Sequence, residues 1–374
     1  MPLTLPALPK SSGNIRNVFL SGLQSVQGRE NQLQLGPKKK VIVILVDGLG
    51  AEQIIQRSGH APWLNSHLSK SSITHCGFPA TTSANIASFS TGLSAGEHGL
   101  VGHRVWDRNF NEQINLLIGW NERTDPLVWQ PMPTVSEQAL GLGIQCNVIA
   151  AGEYKNTPYT LATMRGANFI SADSWNERFE QARQVCSSNE SSLTYLYIPE
   201  LDKYGHKNGW SSPGWAVMLE ELDAAIRSFC SKLPMDTGVI ITADHGMMET
   251  SEERQLVLDD VFEKSGSVSY VGGDTRVNYV YLDDEDSLEQ VVDDLHPFSY
   301  AFDAVATREA IAAGWFGKVL QPALDRLPEL MLVAKSDFTL YHSKYFKPRS
   351  FQMIAHHGSI SSAETRVPLI RIGF

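Results

Sequence analysis

Three apolar runs in this chain end in the same way, and that repetition limits the possible folds more than any other feature. VIVILV at 41–46 runs into Asp47-Gly48, and LTYLYI at 193–198 into Pro199, Glu200 and Asp202. The run at 238–242, GVIIT, leads to Ala243, Asp244 and His245. A continuous β-branched and apolar run, without polar alternation, suits a strand covered on both faces of a parallel sheet. Each run therefore delivers an aspartate at or just beyond its carboxyl end, where open α/β sheets hold their ligands.

Helical patterns fall between these runs. Ala61–Leu68 carries Pro62 in its first turn, and Thr134–Leu142 precedes a strand over Gln145–Ala150. Ser212-Pro213 reads as an N-cap followed by proline at the first helical position. Apolar residues at 215, 219, 222, 226, 229 and 233 then mark one buried helical face. The alternation predicts an α/β fold with a mainly parallel central sheet and helices on both faces. Residues 1–37 look irregular and are expected to wrap the surface. Trp106, Trp120 and Trp129 lie in polar, proline-rich sequence that reads as long loops around a site. From 246 to 356 the pattern changes to a smaller unit, with segments at Val277–Leu282, Asp284–Leu295, Tyr300–Val305 and Leu330–Ala334. VPLIRIGF supplies a last strand. The expectation is one domain over 1–374, with a small capping subdomain within 246–356.

At 374 residues and 42% hydrophobic, the chain can bury a large core. Its apolar runs are far too short to span a bilayer, so no membrane partner is expected. The start of the chain lacks the continuous apolar region of a secretory signal, and the expected location is cytoplasmic. Cys76, Cys146, Cys186 and Cys230 are widely spaced and suit buried free thiols, not a disulfide framework or thiolate zinc site. The net charge of −10 argues against a nucleic acid polymer as partner, and the short run Lys38–Lys40 reads as a solvated edge. Bound metal would give such an acidic protein local positive charge for an anionic substrate.

The chemistry concentrates in a few positions. Asp202 and His206 stand four apart, Asp244 and His245 are adjacent, and Asp47 and a later histidine complete three aspartates and three histidines. Mixed carboxylate and imidazole donors suit zinc or a similar divalent transition metal better than calcium or magnesium, which favour all-oxygen shells. Six donors divide into two sites of three, and paired metals can clamp both oxygens of an in-line displacement at phosphorus. Between the first and second runs lies FPATTSANIASFSTGLSAGEHGLVGH at 78–103. Its hydroxyls at Thr81, Thr82, Ser83 and Thr91 are all candidate nucleophiles, and composition does not choose among them.

Taken together, these stretches resemble the nucleotide pyrophosphatase/phosphodiesterase (type I phosphodiesterase) branch of the alkaline phosphatase superfamily. The resemblance rests on Phe78-Pro79 ahead of Thr82, on Thr91-Gly92 and His98-Gly99 after it, and on the chain order from VIVILVDGLG to HHGS. It implies an alkaline phosphatase-like fold and selects Thr82 as nucleophile. It also implies that Asp202, His206 and His357 bind one zinc while Asp47, Asp244 and His245 bind the other. His357, directly before Gly358, is preferred to His356, and His98 is a structural turn residue. His103 stands where the family has an asparagine that donates to a phosphate oxygen. Tyr197 matches one half of the family's aromatic clamp for a base, but the other half is Ser83.

The implied activity is two-metal hydrolysis of phosphodiester or pyrophosphate bonds in small molecules, through a phospho-threonine intermediate. The alternatives are a phosphomonoesterase or phosphonate hydrolase using the same metals, and a zinc-stabilised binding protein without catalysis.

Overall fold

The Lys40–Val46 strand sits at the centre of the sheet, and every one of its residues is buried. It runs parallel to Ser192–Ile198 on one side and Thr237–Thr242 on the other. The register sets Val46 against Ile198 and Leu45 against Thr242, so the three strands end level. Their aspartates therefore emerge along one edge, as the repeated sequence pattern requires. The structure is a computed structural model and describes residues 13–374.

Gln145–Ala150 and then Asn168–Ser171 extend the sheet in the same direction beyond Ser192–Ile198. On the other side, Arg366–Ile372 pairs antiparallel with Thr237–Thr242, and Ile73–His75 pairs antiparallel with it at the outer edge. The result is a seven-stranded, mostly parallel sheet in which Arg366–Ile372 alone runs against the others.

The Pro213–Cys230 helix begins as its sequence predicts, with the Ser212 hydroxyl accepting from the Trp215 N–H. Trp215, Leu219, Leu222, Ile226 and Phe229 form its buried face. Burying each such side chain contributes roughly 1.5–3 kcal/mol. Leu233, the last residue of the predicted stripe, lies beyond the helix end.

The irregular path expected before the first strand is corrected over Arg16–Val26, which is a helix with Val18, Phe19 and Leu23 buried. Phe19 stacks on Phe89 with ring centroids 4.7 Å apart. Gly22 explains why so modest a pattern makes a core helix. A Cβ there would lie 3.0 Å from Leu193 and 3.2 Å from Val41, so the glycine lets the helix lie close on the sheet. Residues 1–12, covered by the same expectation, lie outside the described residues. A second correction concerns Lys40, which is 4% exposed and paired with Asp236 at 3.4 Å.

The 246–356 segment holds its own antiparallel sheet, ordered Val268–Gly273, Val277–Leu282, Leu330–Ala334 and Phe302–Ala306. A second apolar cluster that includes Phe262, Val280, Leu295 and Leu332 fills one side. Part of the tryptophan-rich stretch expected to be loop is a hairpin of Arg104–Asp107 and Glu112–Asn115. Trp106 in this hairpin stacks on Tyr270 of the small sheet at 4.5 Å. The Tyr279 hydroxyl donates to the Val101 carbonyl at 2.6 Å, a second tie between the two layers. The four cysteines are free, and no described helix is long and apolar enough to cross a membrane.

Candidate active site

Thr82 is the first residue of the Thr82–Thr91 helix, all ten residues of which are buried. The turn before it contains a cis Phe78–Pro79 peptide. Asn85 holds that turn, accepting from the Gly77 N–H at 2.6 Å and donating to the Pro79 and Thr81 carbonyls at 3.1 Å each. Of the hydroxyls that composition left equivalent, Thr82 Oγ1 faces the aspartate–histidine cluster, 3.0 Å from His245 Nε2. Thr91 donates back to the Ala87 carbonyl at 2.7 Å, and Ser83 to the Gly102 carbonyl at 2.6 Å. Thr81 Oγ1 lies 3.4 Å from Ser83 Oγ. The amino end of the helix places partial positive charge at Thr82, which favours an anion there.

Asp202 and His206 come from the first and second turns of the Glu200–Asn208 helix, where an i,i+4 spacing puts them on one face. With His357 they offer three ligand atoms, all within 4.8 Å of one another. Asp47, Asp244 and His245 form a second such group within the same limit. Gly48 has φ +71°, and a Cβ on it would lie 3.0–3.2 Å from Asp202 atoms, so glycine is what lets the strand end pass this aspartate.

The histidines are oriented from behind. Nδ1 of His206 donates to the Ala355 carbonyl at 2.7 Å, that of His357 to Ala80 at 2.9 Å, and that of His245 to Gly246 at 3.1 Å. Each Nε2 is thereby left with a lone pair facing the carboxylates, as metal-ligating imidazoles require. His356 is different. Its Nδ1 accepts from Thr275 at 2.8 Å and its Nε2 donates to the Met353 carbonyl at 3.1 Å, so both nitrogens are committed away from the cluster. His98 is likewise closed off, with Nδ1 accepting from the Leu100 N–H and Nε2 donating to Ser88.

Divalent cations fit these groups. Asp47 Oδ1, Asp202 Oδ1 and Asp244 Oδ2 are buried without any hydrogen-bond partner, an arrangement that is costly unless a cation accompanies it. The electrostatics agree. Burial, then the neighbouring carboxylates Asp244 and Asp202, hold Asp47 well above the usual carboxylate range. Burial and Asp202 push Asp244 up to about 7. Burial lowers His206, but Asp202 more than offsets it and brings the ring up to about 9.

The two residues expected to bind substrate sit at the rim of this cluster. Tyr197 donates its hydroxyl to Asp47 Oδ2, and its ring meets Tyr154 edge-on at 5.6 Å. His103 follows Gly102, which Ser83 ties to the Thr82 helix, and its Nε2 lies 3.0 Å from the Asn115 amide nitrogen. Tyr154, Asn115 and Asp274 escaped the sequence reading. Asp274 is brought in by the hairpin turn of the small sheet, beside Gly358 and Thr81. The next residue but one, Arg276, is fully buried in a paired contact with Glu364 (2.9 and 3.1 Å), and Glu364 also accepts from the Ser359 N–H just past His357.

A mostly parallel sheet that gathers aspartates and histidines around a threonine at the start of a helix is an alkaline phosphatase-like fold. The family model for type I phosphodiesterase / nucleotide pyrophosphatase matches residues 41–360, and the chain belongs to that family. Murine ectonucleotide pyrophosphatase/phosphodiesterase 5 superposes with a TM-score of 0.67 at 19% identity, covering 88% of this chain and 87% of that one. Among relatives by sequence, mouse ectonucleotide pyrophosphatase/phosphodiesterase family member 3 is 24% identical over 63% of this chain and 28% of its own length. A Xenopus laevis bis(5′-adenosyl)-triphosphatase is 23% identical over 78% of this chain and 62% of its own. An uncharacterised pyrophosphatase/phosphodiesterase of Schizosaccharomyces pombe is 25% identical over 60% and 48%. The chain thus spans less than two thirds of the length of these sequence relatives.

Proposed function

We propose that the protein is a two-metal hydrolase of phosphodiester or pyrophosphate bonds in small molecules, with Thr82 as nucleophile. The observation that carries this reading is the 3.0 Å approach of Thr82 Oγ1 to His245, beside three buried carboxylate oxygens that lack partners. Asp202, His206 and His357 would hold one divalent ion, and Asp47, Asp244 and His245 the other. Three carboxylates with three imidazoles favour zinc. Bound there, such ions supply Lewis-acid polarisation of the phosphoryl oxygens and lower the pKa of a coordinated hydroxyl.

The chain's own groups then act in order. Thr82 Oγ1 gives up its proton to water and attacks phosphorus, the bond from phosphorus to the leaving oxygen breaks, and that oxygen takes up a proton from water, leaving a phospho-threonine. The helix amino end favours the negative charge that develops on Thr82. His103 donates a hydrogen bond to a phosphoryl oxygen, and Tyr197 with Tyr154 forms an aromatic wall for a base of the substrate. Water then cleaves the phospho-threonine and restores the hydroxyl. The 246–356 segment acts as a cap that brings Asp274 to the rim. One sequence relative is named for bis(5′-adenosyl)-triphosphate, and an inactive threonine-to-alanine variant of the murine structural relative is in complex with AMP. Both support nucleotide-type phosphoanhydrides and diesters as the substrate class. The four free cysteines support the expected reducing, cytoplasmic setting.

The test is a zinc-loaded enzyme assayed on bis-p-nitrophenyl phosphate, p-nitrophenyl phosphate, dinucleotides and nucleotide sugars, with acid trapping of the phosphoryl enzyme. Diester or pyrophosphate turnover with label on Thr82 is expected. A strong preference for the monoester would favour the phosphomonoesterase reading, and absence of any phosphoryl enzyme would favour a binding protein.

A further inference from the structure

The His103 position carries more information than its place in the sequence. Asn115 ends the Glu112–Asn115 strand and stands in register opposite Arg104, next to His103. Its Oδ1 accepts from the backbone N–H groups of Leu117 at 2.9 Å and Ile118 at 3.2 Å. A backbone N–H only donates, so the atom facing these groups is the oxygen and the amide has one possible orientation. The amide nitrogen therefore points at His103 and donates to Nε2 at 3.0 Å. A ring nitrogen that accepts carries no proton, which leaves the imidazole proton on Nδ1. Nδ1 makes no hydrogen bond to a described residue. The Leu116 N–H donates to the His103 carbonyl at 2.8 Å, so the hairpin fixes both partners.

We propose that Asn115 is a positioning residue that locks His103 as a neutral imidazole with Nδ1–H as its donor, giving the phosphoryl site a hydrogen bond without a positive charge. This rests on the reading of His103 as a donor to a phosphoryl oxygen. A neutral donor suits a phosphodiester, whose non-bridging oxygens share one negative charge. A monoester dianion accepts the same hydrogen bond but finds in it no positive charge to balance its second negative charge. The charged or titratable groups facing His103 are Asp274, Arg104, His357 and His206, and burial outweighs Asp274 in keeping the ring uncharged. Asn115 thus does for an imidazole what a fixed amide does by itself: it presents one donor and no charge.

Nitrogen-15 NMR of histidine-labelled, zinc-loaded protein tests the lock without reference to turnover, with His103→Gln assigning the signal. The expected spectrum at neutral pH shows a protonated Nδ1 and a bare Nε2. An Nε2–H tautomer or a doubly protonated ring overturns the proposal, whether or not Thr82 proves to be the nucleophile. Asn115→Asp gives a second readout, because it keeps the oxygen for Leu117 and Ile118 but replaces the donor with an acceptor. At about pH 8, kcat/KM on bis-p-nitrophenyl phosphate should fall roughly ten- to a hundredfold, the worth of one hydrogen bond to a charged group. The loss should shrink as the pH is lowered and the ring gains its second proton. A loss that is the same at every pH marks a merely structural role and overturns the proposal.

Discussion

Oγ1 of Thr82 lies 3.0 Å from Nε2 of His245, while Nδ1 of the same ring is tied to the Gly246 carbonyl. The hydroxyl is therefore held against the group formed by Asp47, Asp244 and His245 by a ring that has no freedom to turn away. Removing the hydroxyl should abolish chemistry without emptying the site. Thr82→Ala is expected to lower kcat on bis-p-nitrophenyl phosphate by roughly a thousandfold or more, as loss of a nucleophile does. Metal content, measured by elemental analysis, should stay near two ions per chain. Full activity in this variant would sink the nucleophile assignment.

Metal removal should expose a pH dependence that the loaded protein lacks. Asp244, pushed up to about 7 by burial and Asp202, holds its proton in the fold longer than in the unfolded chain. Its contribution is therefore lost as the pH rises to that value. His206, raised from 6.5 to about 9, contributes fully below 6.5 and loses that contribution as the pH climbs through about 9. His245 is held low and has no further proton to release above 6.5. All the shifts that act in this window have one sign, so chelator-treated protein should melt progressively lower between pH 6.5 and about 9. Calorimetry with and without zinc checks this, and a flat or rising melting temperature in the metal-free protein contradicts it.

Tyr197 separates two roles that the sequence could not. Its position suggested a ring for stacking a base, but its hydroxyl is spent on Asp47. Tyr197→Phe keeps the ring and removes the hydrogen bond. Groups that orient a metal ligand from behind typically account for roughly ten- to a hundredfold in metal affinity. The variant should therefore bind zinc more weakly, by about that factor, while its KM at saturating zinc changes little. A raised KM with unchanged zinc affinity would assign the hydroxyl to substrate instead.

What the sequence made legible was whatever local pattern controls. The strand-end aspartates were readable because buried parallel strands announce themselves as apolar runs and their register follows from packing. In the sequence, His357 is preferred to His356 only because Gly358 follows it, and the structure adds a physical difference: both ring nitrogens of His356 are spent on Thr275 and Met353. Asn115, Asp274 and Tyr154 were not legible because they reach the site from a strand end, a hairpin turn and a short 3-10 helix, and none of these carries a local pattern that points to the cluster. Trp106 on Tyr270 docks the hairpin that carries Asn115, and no local spacing reveals that stack. The Arg16–Val26 helix was missed for a related reason. Ser21 and Gly22 dilute its pattern, although Gly22 is what allows the close approach to Val41 and Leu193.

The Arg276–Glu364 pair should matter to both stability and the site. Neither side chain is exposed, and Glu364 reaches the Ser359 N–H two residues after His357. Arg276→Met leaves a buried carboxylate without its partner, which typically costs about 3–5 kcal/mol. Urea denaturation of the zinc-loaded protein measures that loss, and zinc titration should show weaker binding because the His357 turn is loosened. A loss under about 1 kcal/mol would mean that water or a shifted neighbour replaces the guanidinium.

Ser83 is where the chain departs from the aromatic clamp of its family, and the structure supplies a reason to retain serine. The side chain is fully buried and donates to the Gly102 carbonyl at 2.6 Å, linking the Thr82–Thr91 helix to the residue before His103. An aromatic ring in that space forces its surroundings apart, a change that typically costs about 1–3 kcal/mol, and it also breaks the link. Ser83→Phe is therefore expected to lower kcat/KM on a nucleoside p-nitrophenyl phosphate and on bis-p-nitrophenyl phosphate alike, instead of adding preference for a base. Ser83→Ala, which loses only the hydrogen bond at a cost of about 1 kcal/mol, should show the same direction with a smaller effect. The ratio of the two substrates' kcat/KM is the decisive number. If Phe at 83 raised it in favour of the nucleoside, the position would face the substrate and the buried link would be incidental. If the ratio holds while both rates fall, base contact in this protein belongs to Tyr154 and Tyr197, and the serine serves to place His103.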